Sequence, residues 1–247
     1  FSGSENQYNY PLTAAMMTFF KTSEGVLADK AVRQALVRAV DVKTLIGKLD
    51  SPVKALDSPL LPGQVGYDKT VVQQGYDVEA AKRLLDEAGW TLPSTGGVRQ
   101  KDGQPLSFDL YAENSKANTI ISSGLQSAWR AIGVQANVVL QDNADFQTTL
   151  SAHTYDALLH GIALGVDPDV YPYWHSSQAD ARLASRLNFS EYASAAADEA
   201  LDSGRTRTDD ALRAAKYKPF LEAWRDDAPA LALYQPPPVS MGFCMQA

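Results

Sequence analysis

The stretch LSFDLYAENSKANTIISSGLQSAWRAIGVQANVVL, residues 106–140, decides the fold class of this chain. Residues 106–112 alternate between apolar and polar side chains, which predicts a strand. Residues 118–132 carry apolar side chains at helical spacing and are followed by Gly133, so they predict a helix that ends there. Residues 134–140 predict a second strand. Strand, helix and strand in this order predict a βαβ unit, whose two strands lie parallel in one sheet.

Helix and turn patterns continue from this unit toward the N-terminus. The sequence DVEAAKRLLDEAG at 77–89 predicts a helix that is capped by its aspartate, and KDG at 101–103 predicts a hairpin turn. Asp29 and Asp41 are N-cap candidates for two more helices. Residues 51–68, rich in Pro and Gly, predict a surface loop, and the apolar run YPLTAAMMTFF at 10–20 predicts a strand or extended segment.

The C-terminal half alternates strands with helices in the same way. Asn143 is predicted to cap a short helix, and YDALLHGIAL at 155–164 predicts a buried strand. ALALY at 230–234 predicts a last short strand. These elements indicate the α/β class, with helices on both faces of a mixed sheet in which parallel pairing predominates.

Two further helices are predicted between these strands. Ser190 is expected to open a helix that continues through residue 201, and Thr208 or Asp209 a longer one that reaches about residue 227. Pro219 lies inside the second pattern, so a kink or break is expected at 216–219.

Composition excludes several classes of partner. The 247 residues carry a formal net charge of −7, which argues against binding to a nucleic-acid backbone, because such binding requires clustered Lys and Arg. No apolar run approaches the length of about 18 residues that a membrane helix needs. The single cysteine, Cys244, excludes an internal disulfide. The chain starts at Phe1 without a methionine or a leader pattern, so we expect it to begin within a longer gene product.

Catalytic and metal-binding motifs do not occur in the sequence. The patterns GxSxG, GxGxxG, HExxH and the P-loop are absent, and we expect neither a catalytic residue nor a cofactor. His153 and His160 lie seven residues apart on the two sides of the start of a predicted strand and are expected to face opposite sides, so no shared metal is predicted.

One dense cluster of polar and aromatic residues, GVDPDVYPYWHSSQ at 165–178, follows the predicted strand 155–164. Open α/β sheets bind ligands beyond the carboxyl ends of their strands, so the cluster is a candidate ligand-contacting loop. Two alternatives remain open from the residues alone. The loop could be purely structural, with its aromatic side chains in the core, or Asp167 and Asp169 could act as the two carboxylates of a glycoside hydrolase.

The order of segments resembles the extracytoplasmic solute-binding proteins of ABC importers, in particular the peptide- and nickel-binding family 5. The matching segments are DKAVRQALVRAVD (29–41), PLLPG (59–63), YDVEAAKRLLDEAGW (76–90), KDGQPLSFDLY (101–111), LQSAWRAIGVQANV (125–138), YDALLHGIALGVDPDVYPYW (155–174), NFSEYASAAADEAL (188–201) and DAPALALYQP (227–236). The combination of LLDEAGW, VRQAL and PALALY is the most specific part. The resemblance covers most of the chain from residue 29 to about residue 235.

This resemblance implies a fold and a function. Proteins of this family have two lobes that close around a solute, and the chain looks like lobe II of the periplasmic-binding-protein-like type II fold. Residues 1–28 would be a strand and connector that enter this lobe, 29–235 the solute-binding lobe itself, and 236–247 the start of a return crossover to lobe I. The resemblance further implies a monomer that binds peptides or other small solutes, delivers them to the importer's membrane permease, and works outside the cytoplasmic membrane. Such proteins are free in the periplasm or held by a lipidated Cys, which here would lie upstream of Phe1.

The resemblance also indicates the site. Peptide-binding relatives commonly read Ala-Asp-Tyr-Pro-Asp-Pro at the positions of residues 163–168, and the first Asp receives the ligand's α-ammonium. Leu164 occupies that position here, and Asp167 with Pro168 is the part that matches. Asp167 or Asp169 could substitute, and the aromatic side chains could instead stack on an oligosaccharide. The predicted ligand-binding residues are Leu164, Gly165, Asp167, Asp169, Tyr171, Tyr173, Trp174 and His175.

Overall fold

The computed structural model describes residues 7–10, 13–165, 167–180, 186–237 and 239–242. The strands are β1 (Gln7–Tyr10), β2 (Ala14–Phe20), β3 (Lys54–Ala55), β4 (Gln100–Lys101), β5 (Gln104–Pro105), β6 (Ser107–Glu113), β7 (Gln135–Gln141), β8 (Ala157–Ala163), β9 (Ala230–Gln235) and β10 (Val239–Gly242). The α-helices are α1 (Lys30–Arg38), α2 (Val42–Ile46), α3 (Val78–Glu87), α4 (Lys116–Arg130), α5 (Asn143–Ala152), α6 (Tyr171–Trp174), α7 (Ala195–Arg205) and α8 (Asp210–Asp227). Short 3₁₀ turns lie at Val26–Ala28 and Ser176–Gln178.

Within these residues a six-stranded mixed sheet has the order β3-β9-β2-β8-β6-β7. The strands β8, β6 and β7 pair in parallel, whereas β3, β9, β2 and β8 pair antiparallel. The predicted α/β class and mixed sheet are therefore confirmed. Parallel pairing predominates at the β8-β6-β7 side only, because β2 and β9 insert antiparallel between β8 and the edge strand β3.

The βαβ unit predicted from residues 106–140 is β6-α4-β7. The Ser115 hydroxyl accepts a hydrogen bond from the Asn118 backbone N–H at 3.1 Å and caps the helix, so α4 begins two residues earlier than the spacing predicted. Gly133 follows the helix with φ of 82°, a left-handed conformation that glycine adopts without strain. The Trp129 indole N–H donates to the Leu36 carbonyl at 3.0 Å and ties α4 to α1.

Two hydrophobic cores lie on opposite faces of the sheet. The first is formed against α1, α3 and α4 and includes Leu36, Leu125 and Trp129. The second is formed against α6, α7 and α8 and includes Trp174 and Trp224. Helices thus cover both faces, as the sequence predicted, and the sheet is buried on each side.

The N-terminal strand β2 lies inside the sheet, between β9 and β8. The sequence predicted a strand and connector at residues 1–28, and the strand is β2, which pairs along its whole length with β8. The boundaries of the lobe stay a prediction. Before it, β1 pairs antiparallel with β10 in a separate two-stranded sheet, so the segments at the two ends of the described chain run side by side.

Most predicted caps and turns are present. Asp29, Asp41, Asp77 and Asp209 each accept a backbone hydrogen bond as N-cap residues. The KDG turn joins β4 to β5, with positive φ at its last two residues, as a tight hairpin requires.

Two local predictions were wrong. Asp142, not Asn143, caps α5. Helix α7 begins at Ala195 with Ser194 as its cap, because the Ser190 hydroxyl is buried and donates instead to the Pro229 carbonyl at 2.8 Å. Helix α8 continues through Pro219, so the helix is not broken there.

The continuity of α8 has a packing cause. Buried side chains lie on both sides of the proline, with Tyr217 before it and Phe220, Leu221 and Trp224 after it. Their burial in one core stabilises both halves of the helix. This offsets the loss of the backbone hydrogen bond that Pro219, which has no N–H, does not donate.

Among the described helices, none combines the length and the apolar character needed to cross a lipid bilayer.

Leu125→Ala tests the first core. The Leu125 side chain is fully buried in α4, so its truncation should lower the free energy of unfolding by about 2–5 kcal/mol. Ser127→Ala, at an exposed position of the same helix, should change it by less than about 0.5 kcal/mol. Urea unfolding followed by circular dichroism measures both, and equal effects would contradict the position of α4.

Candidate functional site

The candidate site lies at the carboxyl edge of the sheet, which we define as the edge where β6, β7 and β8 end. Strand β2 runs antiparallel to β8, and β9 runs antiparallel to β2. Strand β2 therefore begins at this edge, and β9 ends there. The loop 164–178 follows β8 here; residue 166 within it lies outside the described residues. Open α/β sheets place ligands at this position.

The start of the loop is held by backbone hydrogen bonds. The Leu164 N–H donates to the Thr13 carbonyl at 2.7 Å, just before β2. The Gly165 carbonyl accepts from the Gln64 side-chain amide at 3.0 Å. Gly165 has φ of 69°, so the chain turns away from the strand at this point. The Leu164 side chain is buried in the second core and packs there rather than facing solvent.

The two acidic residues of the loop form ion pairs with the helices behind it. Asp167 pairs with Arg213 of α8. Asp169 pairs with Arg205 of α7 at 2.8 Å and also accepts from the Tyr171 backbone N–H at 3.3 Å. Both carboxylates therefore serve to fix the loop on α7 and α8. The sequence pattern did not indicate these two arginines, because Arg213 lies 46 residues from Asp167 and Arg205 lies 36 residues from Asp169.

The Tyr171 ring packs between the His175 ring and the Arg205 guanidinium group. The His175 ring stacks on it with centroids 4.1 Å apart, and the Arg205 guanidinium carbon lies 4.1 Å from the Tyr171 centroid. Two groups so close to one centroid occupy opposite faces of the ring, so neither face is open. His175 Nδ1 accepts from the Ser177 backbone N–H at 3.0 Å, so the ring proton is on Nε2, which lies 3.5 Å from a carboxylate oxygen of Asp202.

Tyr173 and Trp174 face in different directions. The Tyr173 hydroxyl donates to the Ala163 carbonyl at 2.8 Å, and burial raises the pKa of Tyr173. The Trp174 ring is fully buried, stacked on Phe19 at 5.6 Å and edge-on to Trp224 at 5.8 Å. The Trp174 ring is thus a core residue, which lies on α6 beneath the loop.

The structure brings most of the predicted residues together at one edge. Asp167, Asp169, Tyr171, Tyr173 and His175 lie on the loop and α6 above the second core, while Leu164 and Trp174 are buried within it. Ligand contact by any of them stays a prediction.

The histidines do not lie as predicted. His153 follows α5, ahead of β8, in a left-handed conformation with φ of 53°, and its Nδ1 lies 3.2 Å from Glu191 Oε1. The rings of His153 and His160 therefore both lie near Phe189, at centroid distances of 6.3 and 5.3 Å, rather than on opposite sides. No cluster of three or more metal-ligating side chains occurs among the described residues.

Comparison with known proteins identifies the family. Residues 2–182 match the model of the bacterial extracellular solute-binding proteins, family 5 (middle part), and the chain belongs to this family. Its members are substrate-binding proteins of transport systems.

Individual relatives agree with this assignment. The chain is similar to Protein XP55 of Streptomyces lividans, with 34% identity over 202 residues that make up 80% of this chain and 36% of that protein. It is also similar to the oligopeptide-binding protein AppA of Bacillus subtilis, with 28% identity over 214 residues, 84% of this chain and 39% of AppA.

Solved structures match the fold over almost the whole chain. The structure of B. subtilis AppA in complex with a nonapeptide has a TM-score of 0.84 at 24% identity and covers 94% of this chain and 47% of AppA. That of NikZ from Campylobacter jejuni in complex with Ni(L-His) has a TM-score of 0.83 at 26% identity and covers 93% of this chain and 46% of NikZ. The chain thus spans less than half the length of these relatives.

Trp174→Ala tests the position of that ring. As a fully buried side chain, its removal should lower the free energy of unfolding by about 3–5 kcal/mol. Tyr173→Phe, next to it, removes a single hydrogen bond and should cost about 0.5–1.5 kcal/mol. Denaturant titration compares the two, and an unchanged midpoint for Trp174→Ala would show that the ring is not in the core.

His160 predicts a pH dependence of stability. Burial lowers its pKa from 6.5 to about 4, whereas the unfolded chain keeps the ordinary value. The unfolded state therefore binds the proton first, so this contribution is present above pH 6.5 and is lost as the pH falls toward 4. The loss by pH 4 is on the order of 3 kcal/mol, because each pKa unit corresponds to about 1.4 kcal/mol.

The matched variant for this experiment is His160→Gln. Unfolding free energies of both proteins, measured from pH 7 to pH 4, should show a steeper decline for the wild type. Parallel pH profiles would contradict a buried, neutral His160.

Proposed function

We propose that this chain is the ligand-binding lobe of a solute-binding protein of an ABC importer, and that peptides are its solutes. The observation that carries the proposal is the arrangement at the carboxyl edge. The 164–178 loop lies there, and the paired strands β1 and β10 connect to β2 and β9 at the same edge. A second lobe reached through β1 and β10 would face the loop and enclose a solute against it.

Relatives support peptides as the solute class. AppA is named as an oligopeptide-binding protein, and its structure contains a nonapeptide. An extended peptide offers backbone donors and acceptors along its length, so it can be held by main-chain hydrogen bonds without a charged terminus. In this chain Asp167 and Asp169 are already paired with arginines, and Leu164 is buried. We infer that the free amine of a peptide contributes little to binding on this lobe.

The other two hypotheses have less support. Sugar binding through aromatic stacking needs an open ring face, but both faces of Tyr171 are covered and Trp174 is in the core. Glycoside hydrolysis needs one carboxyl group that donates a proton to the leaving oxygen. Asp167 and Asp169 instead accept hydrogen bonds from Arg213 and Arg205. We therefore propose binding without chemistry, and neither cofactor nor metal.

The wider setting is proposed from the family. The protein would act outside the cytoplasmic membrane, as a monomer, with a lipidated Cys as the tether, and would deliver its solute to the permease subunits of the importer. We propose the lobe itself to extend from β2 through β9, with β1 and β10 as the two crossings to the other lobe.

Isothermal titration calorimetry of the full-length protein tests the solute class. A pool of random pentapeptides should give saturable heat, whereas maltooligosaccharides and Ni(L-His) should not. N-acetylated versions of a binding peptide should bind within about threefold of the free peptide, since a lost charged hydrogen bond would cost roughly tenfold or more. The absence of saturable heat with every peptide would refute the proposal.

Two variants test whether the 164–178 loop is part of the peptide-binding site. Tyr171→Ala removes the ring between Arg205 and His175 and should weaken peptide binding by about tenfold, because the loop loses its ordered conformation. Tyr76→Ala makes the same substitution at an exposed tyrosine away from the loop and should leave affinity unchanged. Equal affinities for the two variants would remove the 164–178 loop from the site.

A further inference from the structure

Gln64 joins the segment PLLPGQVGY, residues 59–67, to the start of the 164–178 loop. Its Nε2 donates a hydrogen bond to the Gly165 carbonyl at 3.0 Å, and its Oε1 accepts one from the Leu61 backbone N–H at 2.8 Å. The half-buried side-chain amide thus uses its donor toward the loop and its acceptor within its own segment. Because 101 residues separate Gln64 from Gly165, the contact forms only in the folded chain.

The Gly165 carbonyl lies where the loop leaves β8. Before it, the Leu164 N–H donates to the Thr13 carbonyl at 2.7 Å and holds the chain on the sheet. Gly165 itself has φ of 69°, and glycine has more accessible backbone conformations than any other residue. The direction in which the chain continues toward Asp167 therefore needs a partner outside the loop, and the Gln64 amide is such a partner.

The 59–67 segment is fixed well enough to act as a support. The Leu60 and Leu61 side chains are buried in the second core. The Gln64 N–H donates to the Leu61 carbonyl at 3.0 Å, and the Tyr67 N–H donates to the Gln64 carbonyl at 3.1 Å. These two consecutive turns order the backbone on both sides of Gln64.

The segment also rests on the helix that holds the loop at a second point. Gly66 has φ of 91° and lies so close to Tyr217 of α8 that a Cβ at this position would be 2.8 Å from the ring. One turn earlier in α8, Arg213 pairs with Asp167 of the loop. The 59–67 segment, α8 and the 164–178 loop therefore contact one another pairwise and form one packed unit.

We propose that Gln64 is a positioning residue of the peptide-binding site, which holds the 164–178 loop in the conformation that receives the solute. This proposal rests on the proposed function. Gln64 acts through the Gly165 carbonyl and not through contact with the peptide. A loop that is in its binding conformation for only part of the time binds with an apparent affinity that is reduced by the same fraction.

Gln64→Ala provides the main test. Calorimetry of the full-length protein with a binding pentapeptide should give a Kd about tenfold higher than that of the wild type, which corresponds to a loop in its binding conformation about one tenth of the time. Unchanged affinity in this variant would overturn the proposal.

Gln73→Ala is the matched control. The Gln73 amide also makes two hydrogen bonds to backbone, donating to the Ala232 carbonyl at 3.0 Å and accepting from the Ala232 N–H at 2.9 Å. These bonds hold the edge of β9 and not the loop. Its loss should lower the unfolding temperature and leave the Kd within about twofold. An equal loss of affinity in both variants would assign Gln64 to general stability and overturn the positioning role.

Two conservative variants separate the donor of Gln64 from its acceptor. Gln64→Lys keeps a donor for the Gly165 carbonyl, so its Kd should stay within about threefold of the wild type. Gln64→Glu keeps an acceptor for the Leu61 N–H but places a carboxylate against the Gly165 carbonyl, so it should bind at least as weakly as Gln64→Ala. Equal affinities of the Lys and Glu variants would overturn the role of the donor.

Amide hydrogen exchange, measured by NMR without peptide, keeps the two proposals distinguishable. The Leu164 and Tyr171 N–H groups are bonded within the ordered loop, to Thr13 and Asp169. Their exchange should be about tenfold faster in Gln64→Ala than in the wild type and unchanged in Gln73→Ala. Unchanged exchange in Gln64→Ala would overturn the positioning role even where peptides bind. Faster exchange in a protein whose wild type binds no peptide would support the hold on the loop and refute the proposed function.

Discussion

The fold depends on the placement of β2 inside the sheet. This seven-residue strand pairs with β8 on one side and β9 on the other and is buried on both faces. Met17 and Phe19 point into the second core and Phe20 into the first, so a single strand joins the two hydrophobic cores. Its antiparallel direction places the Thr13 carbonyl at the carboxyl end of β8, where it accepts the first hydrogen bond of the 164–178 loop. The position of the candidate site therefore depends on the pairing of β2 with β8.

The polar residues of the loop are used mainly within the protein. Each exposed ion pair, such as Asp169–Arg205, contributes little by itself, typically below about 1 kcal/mol. Together with the stacking of Tyr171 between Arg205 and His175, the pairs determine one conformation of the loop on α7 and α8. A loop that is ordered before binding loses less entropy when a solute arrives, which favours affinity without requiring many direct contacts.

The carboxyl edge combines this ordered loop with a neutral, apolar cavity on the other side of the sheet. Charges near both features are compensated by Arg205, Arg213 and the Asp50–Lys116 pair. An edge of this kind suits the capture of solutes through main-chain hydrogen bonds and side-chain burial. Membership in a family of extracellular solute-binding proteins is consistent with that chemistry.

The sequence by itself determined the elements whose causes are local. Caps such as Asp29, Asp77 and Asp209 act within three residues, the KDG turn within its own hairpin, and the β6-α4-β7 unit through its own periodicity. The order of these segments also sufficed to indicate the family. The sequence likewise placed a polar loop after β8, because the strand pattern and the loop composition adjoin each other.

Only the tertiary structure decided how the loop residues are used. Several features depend on partners many residues away. They are the pairing of Asp167 and Asp169 with arginines, the burial of Trp174, the hydrogen bond from the Ser190 hydroxyl to the Pro229 carbonyl, and the continuity of α8. The cavity between residues 49–53, the start of α4 and the end of β9 likewise forms from segments that are distant in the chain and meet when the sheet assembles. Such contacts leave no periodic pattern, because which side chains meet is determined by packing of the whole core rather than by neighbours in sequence.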